Sequence, residues 1–106
     1  MAFSEIELKR IDNLVGEMCR RRSPAHIRDQ LRFEYEIDRH SVIMWEVRPV
    51  WNNPSQETRM GVAKFRYSRS TNKWKLYWMR ADLKWHAYNT DRNTSDLDAL
   101  VSEVEH

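Results

Sequence analysis

The sequence predicts an α+β fold, in which an N-terminal helix is followed by a four- to five-stranded antiparallel meander sheet and a C-terminal helix. Apolar residues recur at helical spacing near both ends of the chain, and they alternate with polar residues in between. Short hairpin connections make the sheet antiparallel, and both helices are expected to cover one face of it. At 106 residues, the whole chain (1–106) is expected to form a single domain.

The first helix has the clearest start signals. Ser4 is a favourable N-cap and Glu7 follows three residues later, which is the spacing of a capping box. The apolar positions then recur at helical spacing, namely Leu8, Ile11, Leu14, Val15 and Met18. Ser23 before Pro24 predicts a new start and a short helical turn over Pro24–Asp29.

A period of two predicts the strands. The first covers Leu31–Asp38, with Phe33 and Tyr35 facing inward. The second covers Val42–Trp51, with Ile43, Val47 and Trp51 facing inward alongside Trp45. Residues 51–57 have the composition of a loop, so the third strand is predicted to cover Gly61–Ser70.

The rest of the chain predicts one or two more strands and a helix. The fourth strand is expected to bury Trp74, Leu76 and Trp78, and Leu83–Tyr88 is either a fifth strand or a bent continuation of the fourth. Thr94 or Ser95 is the expected cap of a final helix, whose apolar face consists of Leu97, Leu100, Val101 and Val104.

Aromatic side chains are expected to dominate the core. The chain has five Trp, four Tyr and three Phe, and each large ring buries about 150–250 Å² when enclosed. Most of the tryptophans are therefore interpreted as core residues. Trp51, beside an Asn-Asn-Pro segment, is expected to be partly exposed and is a candidate contact surface.

Several functional classes find no support in the sequence. Cys19 is the single cysteine, so no internal disulfide can form, and the histidines share no ligand spacing. With only Gly16 and Gly61, the chain cannot contain a glycine-rich phosphate loop or a nucleophile elbow. We predict no cofactor, no metal site and no catalytic residue. The lack of an apolar leader or spanning segment predicts a cytoplasmic protein without a membrane partner.

A basic segment carries the main functional hypothesis. Residues 59–86 hold eight Lys or Arg residues and one acid, Asp82. Strand alternation is expected to place five of these basic residues on one face of the sheet, together with Tyr77, His86 and Tyr88. The candidate anion-binding residues on this face are Lys64, Arg66, Lys73, Lys75, Tyr77 and Lys84. Cations around exposed rings are typical of single-stranded nucleic-acid binding, so a non-catalytic module for an anionic partner is the leading hypothesis.

An ordinary solvated sheet face is the alternative explanation of that segment. Glu34, Glu36 and Glu46 on the preceding strands could pair with these cations, at about 0.2–1 kcal/mol for each pair. The net charge of only +2 favours this alternative, because dedicated nucleic-acid binders are usually more basic.

Two further functions stay open. An uncovered sheet edge or the Trp51 region would serve a protein–protein or homodimer contact. Asp38, Glu46 and Arg48 on adjacent strands have the residue types of a metal-dependent nuclease, in which acids hold a divalent metal and a base stabilises charge on phosphate.

Several segments together resemble a family of small bacterial proteins classed as a domain of unknown function. The resemblance runs from about Ser4 to Leu100, and it lies mainly in Pro24–Leu31, Arg48–Trp51, Ala63–Tyr67, Trp74–Trp78 and Arg80–Trp85. It implies a bacterial cytoplasmic protein. It implies no activity and no site residues, because the family has none assigned.

Overall fold

A computed structural model describes residues 3–27, 30–87 and 96–105. A π-helical turn, Asp12–Gly16, joins helix α1 (Glu5–Ile11) to α2 (Glu17–Arg21), and α3 is Leu97–Glu105. The strands are β1 (Arg32–Asp38), β2 (Ser41–Val50), β3 (Asn53–Ser68), β4 (Lys73–Met79) and β5 (Trp85–Ala87). They form one antiparallel sheet in the order β1-β2-β3-β4-β5, which confirms the predicted α+β meander. No helix within the described ranges is long and apolar enough to cross a membrane.

The N-terminal cap forms as predicted. The Ser4 hydroxyl accepts the Glu7 backbone N–H at 3.2 Å, and the Glu7 carboxylate accepts the Ser4 backbone N–H at 2.9 Å. Ile11, Val15 and Met18 are fully buried along the helix. The reciprocal cap therefore fixes the start of a helix whose apolar side faces the sheet.

The sequence analysis did not predict the π-helical turn. A Cβ atom at Gly16 would lie 2.4 Å from Asp12 Oδ1 and 3.0 Å from Tyr35 Cε1, so a side chain at this position would collide with both residues. The glycine lets the Asp12 carboxylate accept the Tyr35 hydroxyl at 2.8 Å, and Arg20 contacts the same carboxylate at 3.4 Å. This network joins the helix to β1. It lowers the pKa of Asp12, first through the Tyr35 bond.

The main core lies between the helices and one face of the sheet, as predicted. The strands contribute Val42, Met44, Ala63, Phe65, Trp74 and Leu76 to it. Leu97 and Leu100 of α3 close it, and the Phe3 ring stacks on Trp74 with their centroids 5.7 Å apart. We call this the helix-covered face and the opposite one the outer face.

The predicted start of the third strand was wrong. β3 starts at Asn53 rather than at Gly61, because residues 51–57 include backbone that pairs with β2: Asn53 lies opposite Val50, and Glu57 opposite Pro49. Ladder pairing to a long partner outweighs the loop-like composition. The described part of Pro24–Asp29 is a turn closed by the Ile27 N–H on the Pro24 carbonyl, which is the hydrogen-bond spacing of a single 3₁₀ turn and agrees with the predicted helical turn. Arg28 and Asp29 lie outside the described residues.

Strand β2 was assigned to the wrong face. Val42 and Met44 face the helices, whereas Ile43, Trp45 and Val47 alternate onto the outer face. Val42, Ile43 and Met44 are all buried. An uninterrupted apolar run in a central strand carries no alternation, so its sequence cannot indicate which set of side chains meets the helices.

Smaller corrections concern β4 and β5. Trp78 is 40% exposed rather than buried, because its strand neighbour β5 is only three residues long. His86 lies opposite Trp78 and is therefore on the helix-covered face, not on the basic side where it was predicted. Tyr88 and the predicted caps Thr94 and Ser95 lie outside the described residues.

Candidate anion-binding groove

A groove of about 660 Å³ opens on the outer face at one end of the sheet. In a meander, the β1–β2 and β3–β4 turns lie at the same end, and both contribute residues to its walls. Six cationic side chains and one acid, Asp38, line it; the cations are Arg39, Lys64, Arg66, Arg69, Lys73 and Lys75. We call this the basic groove.

Strand register creates the floor of the basic groove. Arg66 lies directly opposite Lys75 on the β3–β4 ladder, and Lys64 lies opposite Tyr77. Directly paired residues on one face have their Cβ atoms about 4.5–5.5 Å apart. Because the cations of β3 and β4 point to the same face and lie side by side, Lys64, Arg66 and Lys75 form one cluster of positive charge.

The β1–β2 turn supplies one wall. Asp38 pairs with Ser41, so the turn consists of Arg39 and His40, and Arg39 has a φ of 56°. A non-glycine residue in this region costs about 1–3 kcal/mol, and the conformation persists only where its surroundings hold it. The Tyr67 N–H donates to the His40 carbonyl at 2.8 Å, which ties the turn to β3. The strained turn thus holds a guanidinium at the groove wall.

The β3–β4 turn supplies the opposite wall and a cation of a different kind. Arg69 forms a bidentate ion pair with Glu7, at 2.8 and 3.2 Å, and its guanidinium lies over the Tyr67 ring. The hydrogen bond from Arg69, with that from the Ser4 backbone, lowers the pKa of Glu7 to about 2. The charge of Arg69 is therefore balanced from the helix.

The other groove cations differ in this respect. Lys64, Arg66, Lys73 and Lys75 form no ion pair with any carboxylate in the described part of the chain. The three acids that the solvated-face alternative requires do not pair with these four cations, although Glu36 does pair with Arg59, another cation of the basic segment. Glu34 binds Arg32 at 2.7 Å, Glu36 lies 3.6 Å from Arg59, and Glu46 binds Arg48 at 2.5 Å.

Comparison with known proteins gives a family and no activity. A family model described as Domain of unknown function (DUF3024) matches residues 3–106. The chain belongs to this family. The match agrees with the resemblance to an uncharacterised family and covers nearly the whole chain. No curated protein and no solved structure matches the chain.

In this DUF3024 protein, the structure places five of the six predicted anion-binding residues together. Lys64, Arg66, Lys73, Lys75 and Tyr77 all line the basic groove. Lys84 does not, because it follows the turn beyond the end of β4, at the opposite end of the sheet. The five residue steps from Lys75 to Arg80 alone span about 17 Å in an extended strand.

The lining residues that were not predicted include Arg39, His40 and Arg69, which lie in turns, and turns have no periodicity. One signal could have found them. Residues 38–41 and 70–73 have the composition of tight turns, and alternate turns of a meander lie at the same end of the sheet.

An aromatic cluster occupies the other half of the outer face. The Trp45 and Trp85 rings meet edge to face with their centroids 6.4 Å apart, and the Arg59 guanidinium lies 4.6 Å from the Trp45 ring centre. Trp85 reaches Trp45 by crossing Gly61, where a Cβ atom would be 2.7 Å from the indole. This cluster forms a second, smaller packing layer.

The remaining candidates are dispersed. Asp38 lies opposite Ser41 on the outer face, whereas Glu46 alternates onto the helix-covered face five residues further along β2. Arg48 is already paired with Glu46. Within residues 3–27, 30–87 and 96–105, no three His, Cys, Asp or Glu side chains are grouped as metal ligands. The predicted nuclease constellation therefore does not assemble.

Trp51 and Cys19 occupy contrasting environments. Trp51 is 91% exposed in the turn between β2 and β3. Cys19 is buried in the core, and this burial raises the pKa of its thiol to about 11, so the thiol stays neutral at physiological pH.

Proposed function

We propose that this DUF3024 chain is a non-catalytic binding module that takes an anionic partner, nucleic acid, in its basic groove. One observation carries the proposal: Lys64, Arg66, Lys73 and Lys75 converge on one concave surface while the nearby carboxylates bind other arginines. Like charges held together without counterions on the protein attract a polyanion and release its condensed counterions on binding.

Local charge supports this better than net charge does. The whole chain carries only +2, yet at physiological salt the interaction between exposed charges is largely screened beyond about 8 Å. A bound phosphate therefore responds mainly to the groove cations and hardly to acids elsewhere on the surface. A bacterial, cytoplasmic setting stays a prediction, and such a setting would expose the groove to nucleic acid.

Fluorescence anisotropy with labelled single- and double-stranded oligonucleotides tests the proposal. We expect dissociation constants of about 1–100 µM at physiological salt, in the range of sequence-independent binding, with tighter binding at low salt and log K falling linearly with log salt concentration. Absence of binding at these concentrations, or binding that does not respond to salt, would show that the groove does not serve nucleic acid.

Self-association is the second candidate function, and the exposure of Trp51 favours it. A fully presented indole at a hairpin tip is the kind of side chain that anchors protein contacts. Sedimentation velocity at two concentrations should show a dimer that Trp51→Ser abolishes. Leu83→Ser is the matched control, because Leu83 is also exposed, at 73%, in another turn. A wild-type chain that sediments as a monomer at both concentrations would remove this candidate.

A further inference from the structure

Tyr77 differs from the other tyrosines that the structure describes. The Tyr35 hydroxyl donates to Asp12 at 2.8 Å, and the Tyr67 hydroxyl donates to Asn72. The Tyr77 hydroxyl forms no hydrogen bond with any described residue. Tyrosine hydroxyl groups usually find a partner when they anchor a structure. No hydrogen bond to another described residue therefore holds the Tyr77 side chain in its position on the outer face.

The surroundings of Tyr77 are positively charged and contain no second aromatic ring among the described residues. The ring is half-buried in the groove floor, with Lys64 opposite it on β3 and the small Ala87 opposite it on β5. The Lys75 ammonium lies 5.7 Å from the ring centre. No aromatic side chain in the described ranges stacks on it. A planar group that stacks on this face of the ring would therefore take the place of the Lys75 ammonium, which could then meet an adjacent phosphate.

We infer that the basic groove selects single-stranded nucleic acid, with one base stacked on the Tyr77 ring and the adjacent phosphates on Lys64, Lys75 and Arg66. This inference rests on the proposed function and names the form of nucleic acid. Stacking on an aromatic side chain accepts any base, because every base has a π-face, while the cations follow the backbone.

Other polyanions do not use the ring in this way. In a duplex, the faces of the bases are covered by their neighbours, and a sulfated polysaccharide has no bases. Both can meet the lysines, but neither can stack on Tyr77. The contribution of the ring therefore distinguishes a single strand from a generic polyanion.

A double-mutant cycle between protein and ligand tests the inference. The protein variants are Tyr77→Leu, which removes the π-face, and Tyr77→Phe, which keeps it. The ligands are a labelled deoxythymidine oligonucleotide of about ten nucleotides, within the site sizes of single-strand binders, and an abasic oligonucleotide with the same number of phosphates. Far-ultraviolet circular dichroism and thermal unfolding check that each variant is folded.

We expect Tyr77→Leu to weaken binding of the deoxythymidine oligonucleotide about 5- to 100-fold, and Tyr77→Phe to change it less than about twofold. Neither variant should change the salt slope, because both keep every cation. The wild type should bind the abasic ligand as weakly as Tyr77→Leu binds the thymidine ligand, and combining both changes should cost nothing further.

Two outcomes would overturn the inference and leave the proposed function standing. One is wild-type binding to the abasic ligand as tight as to the thymidine ligand. The other is a Tyr77→Leu variant with wild-type affinity. Should that variant fail to fold, the comparison of the two ligands on the wild type decides alone. Failure of the proposed function looks different, because neither ligand would then bind at all.

Discussion

The two ends of the outer face have similar residue types and opposite electrostatics. At the end away from the basic groove, Arg32 donates to Glu34 at 2.7 Å and to Glu57 at 2.9 Å. Arg59 lies 3.6 Å from Glu36 and covers the Trp45 ring. We call this the paired end. At the groove end, Lys64 and Arg66 on β3 and Lys73 and Lys75 on β4 have no such partner among the described residues, whereas Arg69 is paired with Glu7.

The difference shows what each set of cations can do. At the paired end, charge-assisted hydrogen bonds raise the pKa of Arg32 and lower that of Glu57. The ion pairs of Arg32 and Arg59 link β1 to β3 on either side of β2, near Trp45. In the groove, the four unpaired cations Lys64, Arg66, Lys73 and Lys75 repel one another in the isolated chain. Such an arrangement is favourable only when an external anion balances it.

Reversing the charge of two groove cations should have the largest effect. Arg66→Glu with Lys75→Glu places two acids where the ladder now holds two bases, and we expect affinity to fall about tenfold for each reversed charge. The salt slope should fall by about 1.4, for the loss of two phosphate contacts. Fluorescence anisotropy at several salt concentrations measures both quantities.

The matched control reverses two exposed cations at the opposite end of the sheet, Arg80→Glu with Lys84→Glu. It changes the net charge by the same amount, and it also separates the structural groove from the sequence-based set, which included Lys84. An equal loss of affinity in both double variants would mean that net charge alone governs binding, and the contrast between the two ends would disappear.

The next largest effect should come from Gly61, beneath the aromatic cluster. Gly61→Ala inserts a methyl group 2.7 Å from Trp85 Cη2 and 2.9 Å from Met79 Cε, so Trp85 must shift away from Trp45. We expect a loss of about 1–3 kcal/mol in the free energy of unfolding, as overpacked sites usually show. Urea unfolding gives the energy, and near-ultraviolet circular dichroism reports on the two indoles. An unchanged midpoint and spectrum would show that the cluster is loosely packed.

How much of this could be predicted from the sequence depends on periodicity. Alternation along β3 and β4 was enough to place Lys64, Arg66 and Lys75 on one side, because both strands have one apolar and one polar set of side chains. It failed for β2, whose apolar run makes both faces equivalent in sequence. It also failed for the start of β3, where main-chain pairing to β2 decides the structure.

The turns and the ion pairs were beyond this reasoning. Arg39 lines the groove because its backbone has a positive φ, a conformation that sequence patterns do not predict for arginine. Arg69 is separated from its partner Glu7 by 62 positions in the chain. A contact of this kind depends on how the helix packs on the sheet. The sequence could therefore predict which cations of β3 and β4 lie in the groove, but not which of the groove cations are paired with an acid.

A smaller effect concerns the pH dependence of stability through Glu7. Its pKa in the folded chain is about 2, below the ordinary value of 4.5, so the unfolded chain binds more protons in this range. The contribution of Glu7 is therefore fully present above pH 4.5 and is lost as the pH falls toward 2. Glu7→Gln should remove this component at a cost of under about 1 kcal/mol at pH 7, because the pair is partly exposed and screened.

Urea unfolding of both proteins at pH 7, 4.5 and 3 measures that difference. Asp12, Glu57 and Asp82 also have lowered pKa values, so stability should decline with acid in the variant as well. The difference between variant and wild type isolates Glu7. A difference that stays constant from pH 7 to 3 would contradict the assigned role of the Arg69 bond.

The smallest effect sharpens the comparison within the groove itself, where Arg69 is paired and Arg66 is not. Glu7→Gln keeps the capping box, since glutamine serves at the same position, and removes the negative charge beside Arg69. If the ion pair with Glu7 prevents Arg69 from binding a phosphate, oligonucleotide affinity should rise about two- to fivefold in this variant. The salt slope should steepen by about 0.7, for one added phosphate contact. Glu17→Gln, which removes the partner of Arg20 remote from the groove, should change neither. A fall in affinity on Glu7→Gln would instead mean that Glu7 holds Arg69 in place for the ligand, so that the ion pair belongs to the binding surface rather than competing with it.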